Sequence, residues 1–425
     1  MGKSKAATTI QEPGAEVAPT AVAPSVVALT HCPYRQADRL QQALTPDKMQ
    51  VAFFLGAGCP MAIRIPDGTT TQPLIPNIEG LTKHVCDELT KTDGHNACTK
   101  TVIKRLCDNG SLSPTIEDIF SHIRALQDII GAGTIDGLAK QALTDLDTEI
   151  CKLVTAAVRK RLPTQDTPYH RLATWIGGIR RAFPVEVFTS NYDLLMEQAL
   201  EERRVPYFDG FVGSHRTFFD ITSMEQDALP ARWSRLWKVH GSINWWRTMS
   251  GDIERREEGD AQDRQMIYPS HLKYDQSRRM PYLAMLDRLR SFLARGQVVL
   301  ITCGYSFSDQ HINDVMIQGL RGNPTAVCFA LMFDARATVP MAVQNALRVP
   351  NLTVLAADGA VVGTIERSWA PGEKREHPLH GVAIRQAVSG AGNVSFALGN
   401  FSSLGEFLAD QLNLVDSAAG GDNGT

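Results

Sequence analysis

Two polar residues each sit just past a short apolar run. Asn191 follows VEVFTSNYD (Val185–Asp193), and His240 follows RLWKVHGS (Arg235–Ser242). Two further runs end in turns: AFFLGAG (Ala52–Gly58), and VVLITCGYSFSD (Val298–Asp309). An imidazole titrating near neutrality accepts a proton from water or a hydroxyl, and a carboxamide orients either. Glycines at a strand end, here Gly56 and Gly58 around Ala57, let backbone N–H groups approach a diphosphate. The hydroxyls of Ser306 and Ser308, beyond Gly304, suit phosphate or ribose oxygens. The set fits a dinucleotide and an attacking water.

Each residue also has a plainer reading. The G-x-G-x-x-G pattern is incomplete, since Ala62 and Ile63 follow, and a strand-to-loop turn without ligand accounts for G-A-G equally well. Ser190, Asn191 and Asp193 are favoured helix-capping residues, most strongly Asp193, and Asp309 reads first as an N-cap. A lone strand-end histidine usually bonds a backbone carbonyl. That reading weakens for His240, which ends its run where Asn191 ends another. Trp233, Trp237, Trp245 and Trp246 around it read as core.

The elements that must position these residues follow from periodicity. Gln50–Leu55 is continuously apolar, as in a strand covered on both faces. Strand-like runs recur at Val185, Arg235, Val298, Ala326–Met332 and Leu352–Ala357. Helical stretches are 35–48, Leu194–Arg203, Pro281–Arg295 and Ile312–Leu320. Alternating strands and helices predict a parallel α/β sheet of Rossmann type, whose ligands bind at the C-terminal strand ends.

Between Gly58 and Val185 the pattern is helical. Ser113-Pro114 opens an amphipathic stretch that Gly131-Ala132-Gly133 closes, and Ile135–Arg161 is a second. This predicts a large all-helical insertion. Gly251–Arg264 reads as a solvated loop. Met266–Pro269 with Lys273-Tyr274 reads as a lid over the site or, equally, as surface packing. The expected organisation is an unstructured arm over 1–30, the sheet domain over 31–76 and 166–400, the helical insertion over 77–165, and a C-terminal helix over 401–425 whose tail is flexible from Asp416.

The chain has 425 residues and a net charge of -3, so no global basic field points to direct nucleic-acid binding. No apolar run approaches the roughly 20 residues that span a bilayer. The N-terminus lacks the apolar core of a signal peptide, and Ala6 stands where a myristoylation motif needs Ser or Thr. A cytoplasmic chain without membrane partners is expected. The eight cysteines include no C-x-x-C pair, which argues against a zinc ribbon or redox dithiol.

Taken in order, G-A-G with I-P-D-G (Ile65–Gly68), T-S-N-Y-D, V-H-G-S-I-N-W and G-Y-S-F-S-D resemble the sirtuin-like NAD-binding family. The nearest branch is the zinc-less one that destroys NAD in bacterial antiviral defence. The resemblance covers about residues 50–360. It implies NAD, as substrate, lying across the strand ends. Asn191, His240 and Asp193 then match catalytic positions. Gly56, Ala57, Gly58, Asp67, Ser190, Gly304, Ser306 and Ser308 match binding positions. The implied reaction cleaves the nicotinamide–ribose bond to give nicotinamide and ADP-ribose. His240 takes a proton, Asn191 orients water and ribose, and Asp193 supports the loop or touches the ribose.

The four-cysteine zinc module of deacylating relatives is absent, because no cysteine lies between Cys151 and Cys303. No zinc or other metal is therefore expected. Gly68 also follows Asp67 where the family has phenylalanine. NAD-dependent protein deacylation and non-catalytic sensing of NAD or ADP-ribose remain the alternatives. Relatives of this type imply a homo-oligomer. They also imply restraint by a separately encoded partner, such as a hexameric translocase-type ATPase or an Argonaute-like protein.

Overall fold

In the computed structural model, residues 1–2, 29–45, 49–91, 93–179, 181–259, 263–267, 281–370, 378–386 and 394–419 are described. The expected N-terminal arm lies almost wholly outside them, as do the lid segment from Tyr268 through Tyr274 and the chain beyond Ala419.

Nine strands form the main sheet. In chain order they are β1 (Gln50–Leu55), β2 (Glu186–Thr189), β3 (Tyr207–Phe208), β4 (Ser234–Lys238), β5 (Val298–Cys303), β6 (Val327–Leu331), β7 (Leu352–Ala356), β8 (Gly359–Val362) and β9 (Ile365–Ser368). Their order across the sheet is β9-β8-β7-β6-β5-β1-β2-β4-β3. The pairs from β7 through to β3 are parallel, and β8 and β9 continue the edge antiparallel. The chain leaves β1 toward β2 on one side and later crosses back to β5 on the other. This reversal at β1 opens a crevice above the C-terminal strand ends.

The continuous apolar run of β1 has a direct cause. Val51, Phe53 and Leu55 enter one core and Ala52 and Phe54 the other, with both faces of the sheet covered. The first core includes helices Pro168–Gly178, Leu195–Glu202 and Phe401–Ala419. The second includes helices Tyr282–Ala294, Gln310–Gly322 and Pro340–Ala346.

Between β1 and β2 stand helices Ile78–Lys91, Asp93–Asp108, Ile116–Ile129 and Lys140–Val158. Their apolar faces join the first core through residues such as Leu81, Val102, Ile123 and Ile150. The block is not entirely helical. A short hairpin pairs Thr134–Ile135 with Leu138–Ala139, so the last helix starts at Lys140 and not at Ile135. Ile135 and Leu138 make their apolar contacts from the hairpin, so the apolar spacing continues through them without a helix. The preceding helix starts at Ile116, after a capping box of Thr115 and Asp118, and not at Ser113-Pro114. A second hairpin, Arg64–Asp67 with Thr70–Pro73, precedes the block.

A five-stranded antiparallel sheet packs on the second core, in the order Arg264–Ile267, Gly241–Arg247, Ile253–Arg255, Thr217–Phe219, Phe211–Val212. It corrects the expectation of a solvated loop over Gly251–Arg264. Ile253 and Glu254 are buried, and Glu254 pairs with Arg216 and Arg256. Paired charges explain the polar composition at Glu254 and Arg256, while Gly251, Asp252, Glu257 and Glu258 are exposed as expected. The C-terminal helix likewise extends to Ala419, past the Asp416 at which a flexible tail was expected.

Candidate active site

Strands β2 and β4 are parallel neighbours, and Thr189 is in register with Lys238. Asn191 and His240 each lie two residues beyond that pair, so they leave adjacent strands at the same level. The two turns are also bonded together. The Val239 amide donates to Thr189 O at 2.9 Å, the Ile243 amide to Tyr192 O at 3.1 Å, and the Ser242 hydroxyl to Tyr192 O at 3.4 Å.

His240 marks a corner rather than a simple strand end, because Gly241 opens the next strand at φ +89°. A Cβ on Gly241 would fall 2.2 Å from Met266 O, so only glycine allows this reversal.

The imidazole is buried, and its Nε2 lies 3.0 Å from Asp309 Oδ2. Asp309 is indeed an N-cap, as expected: its Oδ1 accepts from the Ile312 amide at 3.1 Å. Its other oxygen serves His240, so one carboxylate does both tasks. Burial alone would lower the His240 pKa. The Asp309 contact, aided by the charge of Glu117, outweighs burial and holds it above the ordinary value.

Glu117 comes from the first turn of helix Ile116–Ile129 and accepts from the Tyr192 hydroxyl at 2.5 Å. Burial raises its pKa, partly offset by the nearby His240 and the Tyr192 bond. Thus the helical block, the β2 and β4 turns, and the β5 turn meet around one imidazole.

Asn191 is held from two sides. Its amide N–H donates to Thr189 Oγ1 at 3.0 Å, and its Nδ2 donates to Gly56 O at 3.1 Å. The buried Tyr169 hydroxyl lies beside it without a hydrogen bond of normal geometry. The carboxamide is half-buried and pre-positioned next to the β1 turn.

The glycines of that turn serve a purpose the sequence did not reveal. A Cβ on Gly56 would meet Gly304 O at 2.3 Å, and one on Gly304, at φ +66°, would meet the Cys59 amide at 2.6 Å. The β1 and β5 turns touch backbone to backbone, and the Gly58 amide donates to Gly304 O at 2.9 Å. Close approach of one loop to the other therefore already requires these glycines, whatever approaches from outside. Ala57 is exposed.

The remaining expected site residues are placed as follows. Ser306 and Ser308 are exposed at the β5 turn and bond each other at 2.9 Å. Between them Phe307 is buried at φ +59°, an unfavourable backbone for a bulky residue. Asn313 holds it: its Nδ2 donates to Phe307 O at 2.7 Å, while its Oδ1 accepts from the Tyr305 hydroxyl at 2.9 Å. Ser190 packs against β1, its amide 3.4 Å from Leu55 O.

Asp193 is buried, its Oδ1 accepting at 3.0 Å from the amide of Leu195, the first residue of the following helix, whose N-cap position is Leu194. Burial pushes its pKa up to about 6, against the lowering effect of Lys238. Lys238 bonds Asp193 O and Glu197 instead of opening to the crevice. Asp67 is exposed on the Arg64–Asp67 hairpin, where its carbonyl accepts from the Thr70 hydroxyl at 3.0 Å, and among the described residues no hydrogen bond or ion pair ties it to Asn191 or His240. Of the four tryptophans, Trp237 and Trp245 are core, as expected, whereas Trp233 and Trp246 are half-buried.

Residues 185–352 match the SIR2-like domain family. That span holds the β2, β4 and β5 turns but not the β1 turn or the helical block. No curated protein matches the chain. Among solved structures, a Sir2 homologue in complex with NAD shares 14% identity, covering 71% of this chain and 85% of its own, at TM-score 0.36. An ADP-ribose complex of a Sir2 homologue mutant shares 12%, covering 90% and 98%, at TM-score 0.37. A Sir2 protein bound to a propionylated peptide shares 12%, covering 72% and 90%, at TM-score 0.33. Among the described residues, no helix is long and apolar enough to cross a membrane.

Proposed function

We propose that this chain cleaves the nicotinamide–ribose bond of NAD, releasing nicotinamide and ADP-ribose. The observation that carries the reading is the level placement of Asn191 and His240 on adjacent strand ends, inside a span that matches the SIR2-like domain. The leaving group is a pyridinium, already cationic, so departure needs no acid. Positive charge develops on the ribose, as in other glycoside cleavages. What the protein must supply is a positioned nucleophile and a place for its proton.

His240 takes that proton from water or a ribose hydroxyl, and Asp309 orients the imidazole and stabilises it once charged. The raised pKa makes His240 a stronger base that is fully available only above its shifted titration. Asn191, fixed by Thr189 and Gly56, orients the water and ribose. Glu117 adds negative charge near the developing cation. Asp193 acts through the loop, by its bond to the Leu195 amide. No step in this scheme needs a metal. The turns at Gly56–Gly58 and Gly304–Ser308 are the candidate wall for the diphosphate and adenosine ribose.

Purified protein incubated with NAD, with and without candidate partners, tests this by chromatography of the products. His240→Ala and Asn191→Ala are each expected to abolish nicotinamide release while leaving the fold intact. NAD loss at the wild-type rate in both variants rejects the assignment. An acyl-lysine peptide that stimulates nicotinamide release and emerges deacylated would select deacylation instead. We place the activity in NAD depletion during antiviral defence, restrained by oligomerisation or a separately encoded partner. Constitutive full activity of a monomer in native extract counts against that restraint.

A further inference from the structure

At the opposite edge of the main sheet, where strands begin, lies a cavity of about 710 Å³. It is bounded by the residues leading into β2, β3 and β4 and by the C-terminal ends of helices Pro168–Gly178 and Leu195–Glu202. Its wall includes Arg181, Arg203, Arg204 and Arg232 and, among the described residues, no aspartate or glutamate. Ile179, the half-exposed Phe183 and Val205 supply an apolar side.

The four arginines differ in what already holds them. Arg181 donates to Leu44 O at 2.5 Å and stacks over Trp175 at 4.7 Å. Arg203 pairs with Asp166 at 2.6 Å. Arg204 and Arg232 are exposed and have no ion pair among the described residues.

Arg204 also occupies an unusual position. The helix Leu195–Glu202 ends in a Schellman motif: the Val205 amide donates to Leu200 O at 2.8 Å and the Arg204 amide to Glu201 O at 3.0 Å. The residue at Arg204's place must be left-handed, and it stands at φ +55°. Glycine takes that conformation without penalty and is the usual occupant. The helix end is thus satisfied by backbone bonds alone, and an arginine is kept there at a cost in backbone strain.

We propose that this cavity binds a phosphate ester of nucleotide size. Its phosphates would lie on the forked guanidinium groups of Arg204 and Arg232, and its ring against Ile179, Phe183 and Val205. Planar guanidinium forks match phosphate oxygens two at a time. The volume lies within the range of small-molecule sites. The site is separate from the candidate active site: its residues lead into the starts of β2, β3 and β4, whereas Asn191 and His240 lie beyond the ends of β2 and β4, with β2's four residues, roughly 13 Å of strand, between.

Titration calorimetry with ATP and with inorganic pyrophosphate tests the proposal. Both probes are expected to bind saturably and to weaken as salt is raised. Arg232→Ala and Arg204→Gly should each weaken binding at least tenfold, with Asn191→Ala leaving it unchanged. Arg204→Gly is the decisive variant, because glycine suits the helix end and should keep or raise the Tm while ligand affinity falls. Affinities unchanged in Arg204→Gly and Arg232→Ala overturn the proposal, as does the absence of saturable binding by either probe. Neither outcome depends on whether the chain cleaves NAD.

Discussion

The Asp309–His240 contact can be removed without disturbing the helix that Asp309 caps. Asp309→Asn keeps an oxygen for the Ile312 amide but replaces the oxygen facing His240 Nε2 with an NH2 that cannot accept. A hydrogen bond to a charged group is worth about 1.5–3 kcal/mol. If it is made in the transition state, its loss slows turnover roughly 10- to 150-fold. The comparison belongs on the alkaline plateau, where His240 is neutral in both proteins. The same substitution removes the chief influence raising the His240 pKa, so the rising limb of the pH–rate profile should move to lower pH. Asp309→Ala should show the same kinetic loss and in addition cost about 1 kcal/mol of stability, from the missing cap. Steady-state nicotinamide release from pH 5 to 9, with denaturant melts of each variant, supplies both readouts. A plateau rate within twofold of wild type, with an unmoved limb, refutes the role of Asp309.

Other expected outcomes follow from the same geometry. Glu117→Gln should lower the His240 titration, measured by NMR of the imidazole whether or not NAD is cleaved; an unchanged titration would remove Glu117 from the site. Asp193→Asn should keep near-normal turnover, and a loss comparable to His240→Ala would return Asp193 to the chemistry. The Asp193 carboxyl is raised from 3.8 to about 6 in the folded state, so the native form binds its proton more tightly than the unfolded chain. Its contribution is therefore largest below its unfolded value and is lost as pH rises from about 4 to 6, a change on the order of 3 kcal/mol that Asp193→Asn should flatten in urea melts. Asn313→Ala strips its bond from the buried Phe307 O and leaves the Tyr305 hydroxyl with Asp309 O at 3.2 Å, and should cost about 1–3 kcal/mol, read as a fall in Tm.

The sheet was legible because strands covered on both faces write themselves as unbroken apolar runs, as in β1 and β5, and because polar turns follow β2 and β4. The partner of His240 was half legible. Asp309 carries the local signature of a cap, and nothing local says that its second oxygen faces another strand. Glu117 was hidden altogether. A carboxylate in the first turn of an amphipathic helix looks solvated and dipole-favoured, and only the docking of the block onto the sheet brings it near His240. The antiparallel sheet escaped notice because its strands are short and its charges are neutralised by neighbours far along the chain, such as Arg216 with Glu254. The glycines of the β1 turn read in the sequence as room for a diphosphate, and nothing local says that the β5 turn already occupies the space beside Gly56.

Glu117 rides on a segment separate from the strands that carry the imidazole. Any motion lifting the helices off the sheet would withdraw one negative charge from His240 as it lets solvent in. Opening the crevice and weakening the base would be one event, so a molecule caught ajar would be poorly equipped to spend its substrate.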